Sequence, residues 1–281
     1  MAEPEAKQTK LREGIQAVVN AMMERVLNKV LYDDPFLSDK FKAEKPLYAA
    51  LVPVEIFKGS HFERRFVTPF GRAWEKLAIV AAENGLGKAE AGYVIHGKIH
   101  EERLRRIMEV LNRLEHGKTE TGRVKPNWDA ELSYINKGRG TQIPISLVCD
   151  VYAVGDKDGK RYSFEIKGPL HNSDQAKVSK EKLLKIFAME PAPIDEAYFV
   201  LPYNPYGQRS LYTWSHPARW FDMKNDRVVL IGDEFWNKIG GLGTYQTFIS
   251  SINEIGEVYR DRIYREYLQI EPPAHKVEVQ L

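Results

Sequence analysis

Asp150, Glu165 and Lys167 have the types and spacing needed to bring a divalent cation against a phosphodiester. Asp150 ends the run SLVCD, and Glu165 and Lys167 belong to the run RYSFEIK. Between the runs lies GDKDGK, residues 155–160, a turn composition that folds them into a hairpin. Side chains alternate between faces along a strand, so Glu165 and Lys167 share a face while Ile166 points away. Folding the hairpin back places Asp150 near Glu165, and two carboxylates and one ammonium converge. Phosphodiester hydrolysis uses such a set. Carboxylates, with the backbone carbonyl of Ile166, are hard oxygen ligands for a divalent cation, and an ammonium beside the water offsets charge that builds on the phosphate.

The bland alternative is a hairpin carrying surface charges, since these residue types are common. Position argues against it. Asp150 follows an apolar run and Glu165 lies between Phe164 and Ile166, where a charge is costly unless paired or metal-bound. Gly168-Pro169 ends the second run and leaves Lys167 at the mouth of the sheet. Cys149 points away from Asp150 and reads as a packed core thiol. Rival constellations fail on spacing. The stretch GLGKAEAGYVIHG, 85–97, has no preceding strand of the kind a dinucleotide site needs, and His96 and His100 lack the glutamate of a zinc-protease helix. Glu75, in a mostly apolar helical run, is either an edge carboxylate paired with Arg72 or Lys76 or a further acid directed at the hairpin.

The elements around the hairpin follow from periodicity. The 281 residues are 43% hydrophobic, an ordinary globular composition, and the net charge of +2 permits a polyanion partner without requiring one. One cysteine excludes internal disulfides, no run approaches the roughly 18 apolar residues of a membrane span, and the polar opening lacks an apolar core, so a cytoplasmic chain is expected. Residues 1–10 read as a frayed start, 11–31 as an amphipathic helix, 35–70 as short helices and irregular connections, and 71–84 and 100–116 as helices. Arg103, Arg105, Arg106 and Arg113 on the last of these form a solvated face or a phosphate-contacting one. Turn formers fill 117–145, including KGRG around Arg139; strands are expected at 195–201, 210–214 and 227–231. Helices are expected from near Ser179, from 233 and over 244–267, before the tail EPPAHKVEVQL. The reading is a single domain over 1–281, mainly helical over 11–115, with an α/β core and C-terminal helices over 141–270.

At Asp150, Glu165, Ile166 and Lys167 the sequence resembles the PD-(D/E)XK nuclease superfamily, with Cys149 where the name places proline. The segments EIKGPLHNSDQAKVSKEKLLK, LPYNPYG and GDEFWNKIGG resemble type II restriction endonucleases, particularly the TdeIII-like group that cuts GGNCC. This resemblance implies an α/β fold with a restriction-endonuclease-like core, a mixed β-sheet flanked by helices, and an N-terminal helical region. It implies Mg²⁺, replaceable by Mn²⁺, held by Asp150, Glu165 and Ile166, with Glu75 as the additional upstream acid that many members carry. Double-stranded DNA is the implied substrate, a homodimer the implied assembly for a palindromic site, and a cognate DNA methyltransferase the implied companion. His171, Asn172, Asp174, Gln175, Lys177, Ser179, Lys180 and Arg139 are the candidates for DNA contact, Asn and Gln reading bases and Lys177 and Lys180 gripping phosphate. The alternatives are a structure-specific repair or recombination nuclease and a catalytically silent DNA-binding protein of the same fold.

Overall fold

A computed structural model describes residues 2–273. In chain order the helices and strands are α1 (Ala2–Asn28), α2 (Ser38–Glu44), α3 (Pro46–Leu51), α4 (Val54–Gly85), β1 (Gly87–Ala91), β2 (Val94–His100), α5 (Glu101–His116), β3 (Lys118–Thr119), β4 (Gly122–Arg123), α6 (Trp128–Asn136), β5 (Gln142–Val148), β6 (Val151–Gly155), β7 (Arg161–Ile166), α7 (Ser173–Ala188), β8 (Glu196–Leu201), β9 (Val229–Ile231), α8 (Asp233–Gly240) and α9 (Thr244–Arg262). The chain divides into two units, Met1–Leu77 with Gln246–Gln280, and Ala78–Tyr245. Among the described residues no helix is long and apolar enough to cross a membrane.

The first unit is helical. Leu11, Ile15, Val19, Met22 and Val26 form the buried stripe of α1, at the spacing of one helix face. The polar residues before them are helical as well, correcting the expected frayed start: Gln8 donates to Thr247 (3.4 Å), and Arg12 just beyond it donates to Glu254 (2.8 Å), tying this end of α1 to α9. The irregular connection expected up to residue 70 is likewise replaced from Val54 onward by the first half of α4, with Pro69 inside the helix. An aromatic ladder at i, i+4 spacing accounts for its persistence: Phe62, Phe66, Phe70 and Trp74 follow one another at ring separations of 6.2, 5.1 and 4.8 Å.

The second unit is built on a mixed sheet of order β1-β6-β7-β8-β9. β6 and β7 form the expected hairpin, with Val151 opposite Phe164 and Val154 opposite Arg161. β1 pairs antiparallel with β6, whereas β8 pairs parallel with β7 and β9 with β8. The change of sense follows from the connections, a short turn between β6 and β7 but the whole of α7 between β7 and β8. Alternation along β7 turns Phe164 to one face, where Phe235 of α8 meets it edge-on at 5.7 Å, and Glu165 to the other, under α7. On that second face Phe199 stacks on Phe221 at 4.5 Å within a core that includes Trp128, Leu183 and Trp220.

Three differences from the sequence reading have local causes. β1, β2 and most of β5 precede residue 146, where composition suggested no strand. Gly92 and Gly97 dilute the strand signal there, and Gly97 leaves room for the Met189 side chain, whose Sδ would lie 2.6 Å from a β-carbon at that position. Residues 210–214 are not a strand: Arg209–Leu211 form a 3-10 turn and the Tyr212 hydroxyl donates to the Pro169 carbonyl at 2.5 Å. Helix α7 starts at Ser173 rather than near 179, because Asn172 Oδ1 accepts from the Gln175 N–H (2.9 Å) and caps it. Residues 274–281 of the expected tail lie outside the described residues.

Candidate active site

Asp150 stands where an antiparallel pairing is interrupted. The β1–β6 and β2–β5 ladders are two stretches of one long strand pair, separated by Gly92-Tyr93 on one side and Cys149-Asp150 on the other. The Gly92 N–H donates to the Asp150 carbonyl (3.1 Å) and the Cys149 N–H to the Tyr93 carbonyl (3.0 Å), so the backbone remains tied while the Asp150 side chain turns toward β7. Asp150 Oδ2 accepts from the Ile166 N–H at 2.7 Å and from Lys167 Nζ at 3.0 Å. Lys167 Nζ is also 2.9 Å from Glu165 Oε1 and 3.1 Å from the Ile166 carbonyl oxygen. The Lys167 N–H donates to the Val200 carbonyl (2.9 Å), extending the β7–β8 pairing by one residue and fixing the origin of this side chain.

Glu165 is 3% exposed, and a buried carboxylate needs more than one partner. Helix α7 supplies them: Lys182 pairs with Oε2, and the Ser179 hydroxyl donates to Oε1 at 3.4 Å. Two carboxylates thus face two ammonium groups. Burial works to lower the pKa of Lys167, but Glu165 and Asp150 outweigh it and hold the pKa above its ordinary value, so this lysine is a proton donor in the cluster. Burial pushes the Cys149 thiol up to about 11, which leaves it inert. Sequence reasoning missed Lys182 and gave Ser179 another task. The available signal was their i, i+3 spacing on the helix that follows the hairpin, which places both on one face, but KEKLLK offers several lysines with nothing to single one out.

The donor set fits a hard divalent cation. Asp150 Oδ2, Glu165 Oε1 and the Ile166 carbonyl oxygen all lie 2.9 to 3.1 Å from one positive charge, the Lys167 ammonium, which stands in for a cation at the point where the three oxygens converge. Among the described residues both hydrogen bonds to the Asp150 carboxylate fall on Oδ2, leaving Oδ1 uncommitted. Oxygen ligands of this kind suit Mg²⁺ or Mn²⁺ rather than zinc. Among the described residues no three His, Cys, Asp or Glu side chains are grouped for a metal, so the third oxygen of this set is the backbone's. His96 and His100 lie on strand β2, where four residues span about 13 Å, and bond separately, to Ser146 Oγ (2.8 Å) and the Gly140 carbonyl (2.7 Å).

The remaining candidates separate by exposure. Asn172, Asp174, Gln175 and Arg139 are exposed; Lys177 is half-buried, paired with Glu115 and lying over the Trp220 ring. His171, Ser179 and Lys180 are buried, which corrects the expectation that they face DNA. The cause is the early start of α7, which rotates Ser179 and Lys180 onto its inner face, and a loop pinned from below: Tyr212 holds the Pro169 carbonyl and Trp214 Nε1 donates to the His171 carbonyl at 2.8 Å. Burial also draws the His171 pKa down. On α5, Arg103 is buried and bonded to the Gly138 and Ala188 carbonyls and to Glu190, so it belongs to the interior rather than to a solvated or phosphate-contacting face. Glu75 is half-buried on the part of α4 that belongs to the first unit.

The family description "Type II restriction endonuclease, HinfI" matches residues 11–256. The chain is similar to three type II restriction enzymes of Herpetosiphon aurantiacus. It is 27% identical to HgiEI over 272 residues, covering 92% of this chain and 95% of the relative, and 30% identical to HgiCII over 217 residues, covering 75% and 77%. HgiBI is 26% identical over 272 residues, with coverage of 92% and 95%.

Proposed function

Because the chain belongs to the HinfI family of type II restriction endonucleases, we propose that it hydrolyses double-stranded DNA at a palindromic site, using a PD-(D/E)XK-type centre of Asp150, Glu165 and Lys167. The observation that carries this reading is the convergence of two carboxylates and the Ile166 carbonyl on one ammonium. Asp150, Glu165 and the Ile166 carbonyl are the ligands for Mg²⁺, with Mn²⁺ as a substitute. When bound, the cation neutralises phosphate charge and lowers the pKa of a water. Lys167 orients the attacking water and donates to the phosphate oxygens as their negative charge grows. Lys182 and Ser179 act through Glu165, fixing its rotamer while their charge and hydrogen bond offset its burial. Asn172, Asp174, Gln175, Lys177 and Arg139 are the available DNA contacts of the original set. The finer reading is a GGNCC-like palindrome, a homodimer whose twofold axis places two such centres, and a cognate methyltransferase that protects the host's own sites.

The test is digestion of phage DNA by the purified protein with Mg²⁺. Discrete fragments with uniform ends are expected, lost on chelation, and Lys167→Ala is expected to cut at least about 100-fold more slowly while remaining folded and DNA-bound. Glu75→Gln, assayed in parallel, tests the additional acid. Undiminished Mg²⁺-dependent cutting by Lys167→Ala would remove that lysine from catalysis. Cutting confined to branched or damaged DNA would replace restriction with repair.

A further inference from the structure

We propose that the outward face of the β2–β5 ribbon is the base-reading surface, entering the major groove through His96, Lys98, Ser146 and Gln142. This rests on the nuclease reading above and adds to it which element recognises sequence. On β2, Val94, His96 and Lys98 are exposed while Ile95 and Ile99 are buried. Across the ladder Val94 faces Val148, His96 faces Ser146, Lys98 faces Pro144 and His100 faces Gln142, so the exposed side chains of β2 and all those of β5 except Ile143, which faces the buried Ile99, share one face. A two-stranded ribbon is one of the shapes that fit the major groove, which is about 12 Å wide.

The chemistry of that face suits base edges. Gln can pair with adenine in bidentate fashion, Lys donates to guanine, and a hydroxyl serves either base. His96 Nδ1 and Ser146 Oγ are already 2.8 Å apart, a cross-strand polar pair held ready at the centre of the face. Val94 and Val148, at the end nearest Asp150 and 39% and 54% exposed, offer methyl groups of the kind that contact thymine.

Position ties the ribbon to the reaction. β5 ends at Val148, two residues before Asp150, and the Gly92 and Cys149 hydrogen bonds carry the same strand pair into the catalytic centre. Ser146 lies four residues upstream of Asp150, about 13 Å along the strand, equivalent to about four base-pair rises. The ribbon is rigid enough to keep that spacing. Its inner face is anchored by Ile95 and Ile99 in the core, by Gly97 against Met189, and by the Glu190 N–H donating to the Lys98 carbonyl at 2.8 Å. The 168–172 loop, by contrast, is tied inward through Tyr212 and Trp214 and buries His171.

The experiment compares cutting at the enzyme's own site with cutting at single-base variants of it, for wild type, His96→Gln, Lys98→Met and Ser146→Ala. These side chains are exposed and the replacements keep bulk or lose one atom; thermal melting checks that each variant folds. Discrimination between the sites is expected to fall about 10-fold or more for each variant, with the change concentrated at particular base positions. Wild-type discrimination in all three variants overturns the proposal. So does an equal loss of affinity for every sequence with a salt slope reduced by about one, which is the behaviour of a phosphate contact. Because each ratio is referred to an active wild type, a wild-type protein that cuts no DNA with Mg²⁺ or Mn²⁺ fails the nuclease reading instead.

Discussion

Lys180 shows how far a single side chain can depart from what its neighbours in sequence suggest. In AKVSKEKLLK it looks like one of several solvent-facing lysines. In the structure its ammonium is fully buried, 2.5 Å from Glu131 and over the rings of Trp128 (4.7 Å) and Phe221 (4.9 Å). Burial draws its pKa down, and Glu131 opposes that change. Glu131 in turn accepts the Asn127 N–H through Oε1 (3.0 Å), so the ion pair also anchors the start of α6. These partners lie far from Lys180 in sequence, and no spacing rule could have indicated them. Lys180→Ala leaves Glu131 buried and uncompensated, and is expected to cost about 3–5 kcal/mol in urea unfolding. The salt slope of DNA binding should not change, whereas loss of a phosphate contact would lower it by about one. The convergence of Asp150, Glu165 and Lys167 was legible for the opposite reason: Asp150 directly precedes one strand of the hairpin, Glu165 lies on the other and Lys167 follows it, so local rules of turn and alternation suffice.

At the scale of elements, legibility followed the density of local signals. The β6–β7 hairpin had a turn sequence and clean alternation, and β8 was a continuous apolar run. β2 and β5 alternate as well, in VIHGKIH and QIPISLV, but Gly97 and Pro144 look like breakers until the strands pair and Gly97 is seen to admit Met189. The start of α7 is a third case. Its cap is Asn172, one of the residues first assigned to DNA, whose side-chain oxygen is committed to the Gln175 N–H. Asn172→Ala is therefore expected to cost about 1 kcal/mol in unfolding free energy, with Asn172→Asp retaining most of it because either side chain accepts the same bond. Equal stability for all three proteins would leave Asn172 without a capping role.

The whole molecule carries a net charge of only +2, so attraction to DNA must come from the local arrangement of charges rather than from the total. The boundary between its two units, at Leu77 and Ala78, falls inside α4, which is why no proline- or glycine-rich linker announces it in the sequence. One chain supplies a single Asp150–Glu165–Lys167 centre, and a palindromic duplex presents two equivalent phosphodiesters on opposite strands. The proposed homodimer answers that mismatch by symmetry. It makes a prediction at this scale that a monomer acting twice does not share. If wild type and Lys167→Ala are co-expressed with different affinity tags and purified through both, the mixed dimer should hold one competent centre. Supercoiled plasmid with one site should then accumulate as the open circle, nicked in one strand, as a stable end product, whereas wild type proceeds to the linear form. Failure to recover a doubly tagged species would sink the dimer. Linear product at the wild-type rate would show instead that a single centre cuts both strands in turn, and the second chain would have no catalytic part.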